Sequence, residues 1–143
     1  MLKHQLSVDD VEFRAALEAG AFAPADFSHR AHVRLAYLYL AGSDVDAALE
    51  RMRAALVSFL AHHGIPASKY HETLTRAWLL GVHHFMHRSP EASSADDFIE
   101  RNPLLLDTKI MLTHYSAELL FSDAARAEFV EPNLDPIPRH HAA

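Results

Sequence analysis

Two short stretches carry the side chains best suited to chemistry, "FSHRAH" at residues 27–32 and "YHETLTRAW" at residues 70–78. His29 and His32 are spaced i,i+3, which sets both imidazoles on neighbouring parts of one helical face. They open the apolar run "VRLAYLYL", and the positive end of a helix dipole disfavours imidazolium there. A neutral imidazole is the form that ligates a metal or polarises a bound group. His71 opens the second stretch, with Thr75 and Trp78 on its face, Tyr70 and Thr73 beside it, and Glu72 placed to pair with Arg76 one turn on. If the two helices enter a bundle from the same end, His29, His32 and His71 converge, and three neutral imidazoles plus a water is a recurrent catalytic metal arrangement. The chemistry expected is a divalent transition metal (Zn, Cu or Fe) that polarises a small polar substrate or activates water. Tyr70 or Tyr115 would supply a proton or a hydrogen bond, Thr75 a polar contact and Trp78 an apolar wall. Asp107, on one face with Met111 and His114 if "LLLDTKIMLTHYS" is helical, would orient a histidine through its second N–H. Against this stand a polar pocket without metal, and buried histidines with structural roles alone.

The remaining histidines invite simpler readings. His62 and His63 close a helix, where the negative dipole end suits them. His83 and His87 are spaced i,i+4 with no further ligand nearby in sequence, and His4, His140 and His141 fall near the termini. With no cysteine in the chain, disulfides, thiolate nucleophiles and sulfur-rich zinc sites are excluded. The serines lack a G-x-S-x-G context, no phosphate-binding G-x-x-x-x-G-K-[ST] occurs, and the His-Glu of "HET" is not followed by the second histidine of a zincin.

Composition bounds the rest. The 143 residues are 50% hydrophobic and 22% charged, which suits one domain with a single core. Thirteen Lys and Arg against nineteen Asp and Glu leave a formal charge of −6, so a nucleic-acid surface is not expected. The N-terminal "MLKHQLSVDDVEF" lacks the apolar core of a signal peptide, and no apolar run approaches the roughly 20 residues that span a bilayer. A cytoplasmic protein without membrane partners is expected. Twelve histidines make the charge sensitive to mild acid, since the free side chain titrates near about 6.5, and a pH-responsive protein is a further reading.

The positioning elements are helical throughout, because apolar spacing follows the helical period and no segment alternates as a strand does. Ser7 caps a helix over 8–19 that Gly20 closes; a second, apolar all round, runs from Ser28 to Ala41; a third covers 45–62 with Val45, Leu49, Met52, Leu56, Phe59 and Leu60 on one stripe. Gly64 ends that helix and Ser68 caps a fourth over 69–87. "HRSPEASSADD" reads as a loop able to edge a pocket. A short helix near 95–101 follows, then a helix begun by Asn102-Pro103, and two short turns capped by Ser116 and Ser122. The proline-rich end, about 130–143, is expected to lie extended across the bundle.

The blocks "FSHRAHVRLAYLYL", "KYHETLTRAWL", "NPLLLDTKIMLTHYS" and "LLFSDAARAEFVEPNLDPIP" together resemble a group of small, histidine-rich, all-helical bacterial proteins that share them in this order, over about residues 22–138. The resemblance implies a small helical fold and supports treating His29, His32, Tyr70, His71 and Tyr115 as one constellation. It implies no reaction. The sequence therefore predicts an all-α, single-domain bundle (1–143) of five to seven helices, with a His-lined pocket between the second and fourth. One reading is a metal-dependent enzyme acting on a small molecule; the other is a non-catalytic binding module or a homodimer.

Overall fold

A computed structural model describes residues 4–140; His141, at the end of the proline-rich stretch, lies outside the described residues. Every regular element among those residues is helical: α1 (Val8–Glu18), α2 (His29–Leu40), α3 (Val45–His62), α4 (Glu72–Arg88), α5 (Ala95–Arg101), α6 (Ala117–Leu120) and α7 (Asp123–Ala127), with short 3-10 turns between them. The helix starts follow side-chain chemistry. Ser7, Ser28, Asp44, Ser94, Ser116 and Ser122 each accept a hydrogen bond from a backbone N–H of the first turn, which satisfies donors that the helix leaves unpaired.

The centre is α2. Its residues Leu35 to Leu40 are all buried, because α1, α3, α4 and α5 pack around it, as an all-round apolar helix requires. α4 lies against α2, α3 and α7. No helix among the described residues is long and apolar enough to cross a membrane.

Two breaks differ from the expected pattern. The fourth helix starts at Glu72 with His71 as its N-cap, whereas Ser68 sits within a 3-10 turn, Ala67–Lys69. The helix expected after Pro103 is instead two 3-10 turns, Pro103–Leu106 and Thr108–Thr113. The Asp107 carboxylate accepts the Lys109 N–H at 2.9 Å, and this local bond competes with continued helix. Asp107 is consequently exposed rather than aligned with Met111 and His114 on a helical face. The expected loop before α5 is tied to the N-terminal segment: Gln5 N–H donates to the Ala92 carbonyl at 2.8 Å, and the Ala92 N–H donates to His4 Nδ1 at 3.3 Å.

Gly20 closes α1 at φ +75°, and a Cβ there would meet the His62 ring at 2.1 Å. The left-handed backbone strains any larger residue, and the exposed His62 ring would also have to turn aside for one.

Asp10 joins three elements. Only 1% exposed, its carboxylate accepts from Ser7 N–H of its own cap, from Ala95 N–H at the start of α5 and from Arg34 Nε of α2, each at 3.0 Å. Burial by itself would raise the Asp10 carboxyl, yet the two backbone donors and the Arg34 guanidinium together hold it below its ordinary value. The stabilisation is therefore complete above the unfolded value of about 3.9 and is lost as pH falls through the lower native value. Asp10→Ala is expected to lower stability by about 3 kcal/mol, since it strands a guanidinium and two amides; urea unfolding followed by circular dichroism measures it.

Candidate functional site

The chain turns sharply at both places where site residues arise. Ser28 caps α2 through the Ala31 N–H at 3.2 Å, which sets His29 in its first turn and His32 one turn on, facing inward. At the start of α4 the cap is an imidazole: His71 Nδ1 accepts the Leu74 N–H at 3.1 Å. The opposite nitrogen, Nε2, donates to the Leu120 carbonyl of α6 at 2.8 Å. Because one nitrogen accepts and the other donates to a carbonyl, the ring is the neutral Nε2–H tautomer. Burial, the larger influence, and the Arg126 charge lower its affinity for a proton, against the opposing Leu120 bond.

His29 and His32 diverge. His29 Nε2 donates to the Leu105 carbonyl at 2.9 Å, and its ring meets Trp78 edge-on, with centroids 4.5 Å apart. His32 is half-buried, and its Nδ1, itself shut off from solvent, has no hydrogen-bond partner. Burial, reinforced by the neighbouring His29, brings the His32 imidazole down to about 4, so it is uncharged at neutral pH.

The expected site residues divide between two cavities. The first, about 290 Å³, is lined by His32, Tyr70, His71 and Thr75 together with Phe27, Leu56, Phe59, Leu60, Leu74 and, at the rim, Lys69. The second, about 400 Å³, holds His29 and Trp78 beside Thr108, Lys109, Leu112 and Phe121. Leu74 borders both. Asp107 and Tyr115 line neither; Tyr115 is wholly buried and its hydroxyl donates to the Val130 carbonyl at 2.7 Å. α3 forms a wall of the first cavity through Leu56, Phe59 and Leu60. The sequence marked these residues as core stripe, and nothing in their spacing separates a cavity wall from a core contact.

The hydroxyls in the first cavity are already engaged as donors. Thr75 Oγ1 donates to the His71 carbonyl at 2.8 Å, and the Tyr70 hydroxyl to Glu72 Oε1 at 2.6 Å. Burial first, then the Glu72 contact, moves the Tyr70 phenol up to about 12. Glu72 does not pair with Arg76 within its helix; it pairs with Arg53 of α3, while Arg76 lies over the Phe129 ring at 4.6 Å.

This donor set does not fit a three-histidine metal centre. Both His71 nitrogens and His29 Nε2 are bonded to backbone, and among the described residues no group of three or more His, Cys, Asp or Glu side chains is arranged to hold a metal ion. No family model matches the chain, and neither the curated proteins nor the solved structures give a match.

His71→Ala removes a helix cap and a bond between elements, and is expected to cost about 2–3 kcal/mol. His71→Asn restores the cap alone and recovers about 1 kcal/mol of that loss. Because the native imidazole binds protons less readily than the free one, the His71 contribution is complete above about 6.5 and declines as pH falls below it. Thermal unfolding of the two variants at pH 7.5 and 5.0 checks both statements.

Proposed function

We propose that the protein binds a small, mainly apolar molecule in the cavity between α2, α3 and the start of α4, through one hydrogen bond to His32. The supporting observation is the half-buried His32 imidazole, the unengaged polar ring lining a cavity otherwise walled mostly by Phe and Leu side chains. A hydrogen bond made by this ring adds about 0.5–1.5 kcal/mol net, which a guest with a hydroxyl supplies and a hydrocarbon does not. Apolar cavities of roughly 150 Å³ hold a benzene-sized guest, so about 290 Å³ has room for a single substituted ring. Lys69 at the rim is exposed and suits a guest whose outer end carries a carboxylate or another acceptor.

Binding is favoured over catalysis by the protonation states. An imidazole brought down to about 4 is a weak base at neutral pH, and a phenol raised to about 12 is a weak acid, whereas efficient acid–base groups lie near the operating pH. His32 accordingly serves as a neutral hydrogen-bonding group. A cytoplasmic location and the use of a small-molecule ligand belong to the same proposal.

Phenol and toluene separate the hydrogen bond from the fit, being alike in shape and differing in the hydroxyl. Phenol is expected to bind about tenfold more tightly than toluene, the equivalent of roughly 1.4 kcal/mol, and His32→Leu is expected to remove that preference while leaving toluene binding intact. Titration followed by backbone amide shifts measures both affinities. Equal affinities in the wild type, or no shift at Leu56, Phe59 and Leu74 with either probe, would refute the proposal.

A further inference from the structure

At the far end of α4, on the opposite side of Trp78 from His71, three histidines of the helix meet one from the irregular C-terminal segment 128–140, the C-terminal strap. The His87 and His140 rings stack with centroids 4.3 Å apart and planes 10° from parallel. His84 Nδ1 and His140 Nε2 share a hydrogen bond of 2.7 Å, with their ring planes 15° from parallel. His83 meets His87 edge-on at 4.6 Å and His140 at 6.1 Å, and His83 Nδ1 is buried without a partner. We propose that these four imidazoles form a pH-operated clasp, which holds the end of the C-terminal strap on α4 while neutral and releases it on acidification.

The geometry explains why the clasp needs uncharged rings. The bond between His84 and His140 requires one bare nitrogen facing one N–H; with both rings protonated, two N–H groups face each other and attraction becomes repulsion. Stacked rings at these distances are likewise adverse once charged. The other charged or titratable groups that act on the rings are Arg88 of α4 and His4 of the N-terminal segment, while Arg139 of the strap is paired with Glu131 at 2.8 Å. No carboxylate among the described residues acts on His83, His84 or His87, so added protons meet only further positive charge.

Burial, the larger influence, and the neighbouring imidazoles hold His83, His84 and His87 below their ordinary value, His83 at about 4. Protons consequently favour the released state. Docking is complete above about 6.5 and weakens as pH falls from there toward the native values.

Release is expected to be local. Upstream, the strap is fixed by bonds that do not depend on a bare imidazole nitrogen: Leu134 N–H donates to the His114 carbonyl at 2.9 Å, and His114 Nδ1 donates to the Asp135 carbonyl at 2.7 Å. A charged ring donates to a carbonyl as well as a neutral one. What leaves is the segment 136–140 with Ile137, which is 6% exposed when docked.

The Ile137 δ1 methyl therefore reports the clasp, with the wholly buried Ile99 methyl as the reference for the core. On lowering the pH from 7.5 to 5.0, the Ile137 methyl resonance of the full chain is expected to move to its random-coil position and lose its cross-peaks to the bundle, while Ile99 stays in place. In His140→Phe, which keeps an aromatic ring and removes the imidazole nitrogens, Ile137 is expected to stay docked at both pH values. An unmoved Ile137 in the wild type, the same movement in His140→Phe, or Ile99 moving together with Ile137 would each overturn the proposal.

Discussion

The His71 ring bonds to backbone through both of its nitrogens, and the polar end of the bundle is arranged around that fact. One nitrogen starts α4 and the other holds the end of α6, so one side chain fixes where two helices meet. It works only as the neutral Nε2–H tautomer, because an imidazolium has no lone pair to accept the Leu74 N–H. The same device recurs at His4, whose Nε2 donates to the Met86 carbonyl at 2.8 Å while Nδ1 accepts from Ala92. Histidine here acts as a two-ended connector between backbone groups that would otherwise be buried unpaired.

With His71 and His29 committed to carbonyls and amides, His32 is left as the polar group available to a guest in the first cavity. Burial lowers its affinity for protons, and the surrounding Phe27, Leu56 and Phe59 side chains supply apolar surface. Such a ring discriminates between guests through a single hydrogen bond, because an apolar guest covers the ring without bonding to it. The cavity is thus shaped by packing and given its selectivity by one atom.

Much of the fold was legible because local signals and burial agreed. Ser7, Ser28, Ser116 and Ser122 each mark a helix start where the structure has one, and the all-round apolar α2 sits at the centre. The failures lie where a side chain competes locally with the backbone. Asp107 breaks the helix expected after Pro103, and the cap of α4 falls on His71 rather than Ser68, since an imidazole is an uncommon cap. The spacing of His29 and His32 placed both in the first turns of α2, yet only their long-range partners, Leu105 for one and none for the Nδ1 of the other, decide which side of α4 each ring faces. Asp10 sits in the first turn of α1, where any acidic residue is favoured; its bonds to Ala95 and Arg34 come from residues far along the chain and leave no mark in the local pattern. The meeting of His140 with α4 was equally hidden, because it depends on the course of the whole strap.

The site histidines are neutral: His71 is held as a connector between backbone groups, while the His32 ring lines the cavity. The most direct measurement is the set of imidazole nitrogen chemical shifts of His32 and His71 between pH 4 and 8 in isotopically labelled protein. The account predicts His71 as the Nε2–H tautomer at pH 7, and His32 uncharged until the pH nears about 4. A His71 ring protonated on Nδ1 at pH 7, or a His32 ring that titrates at the ordinary value of about 6.5, would contradict it.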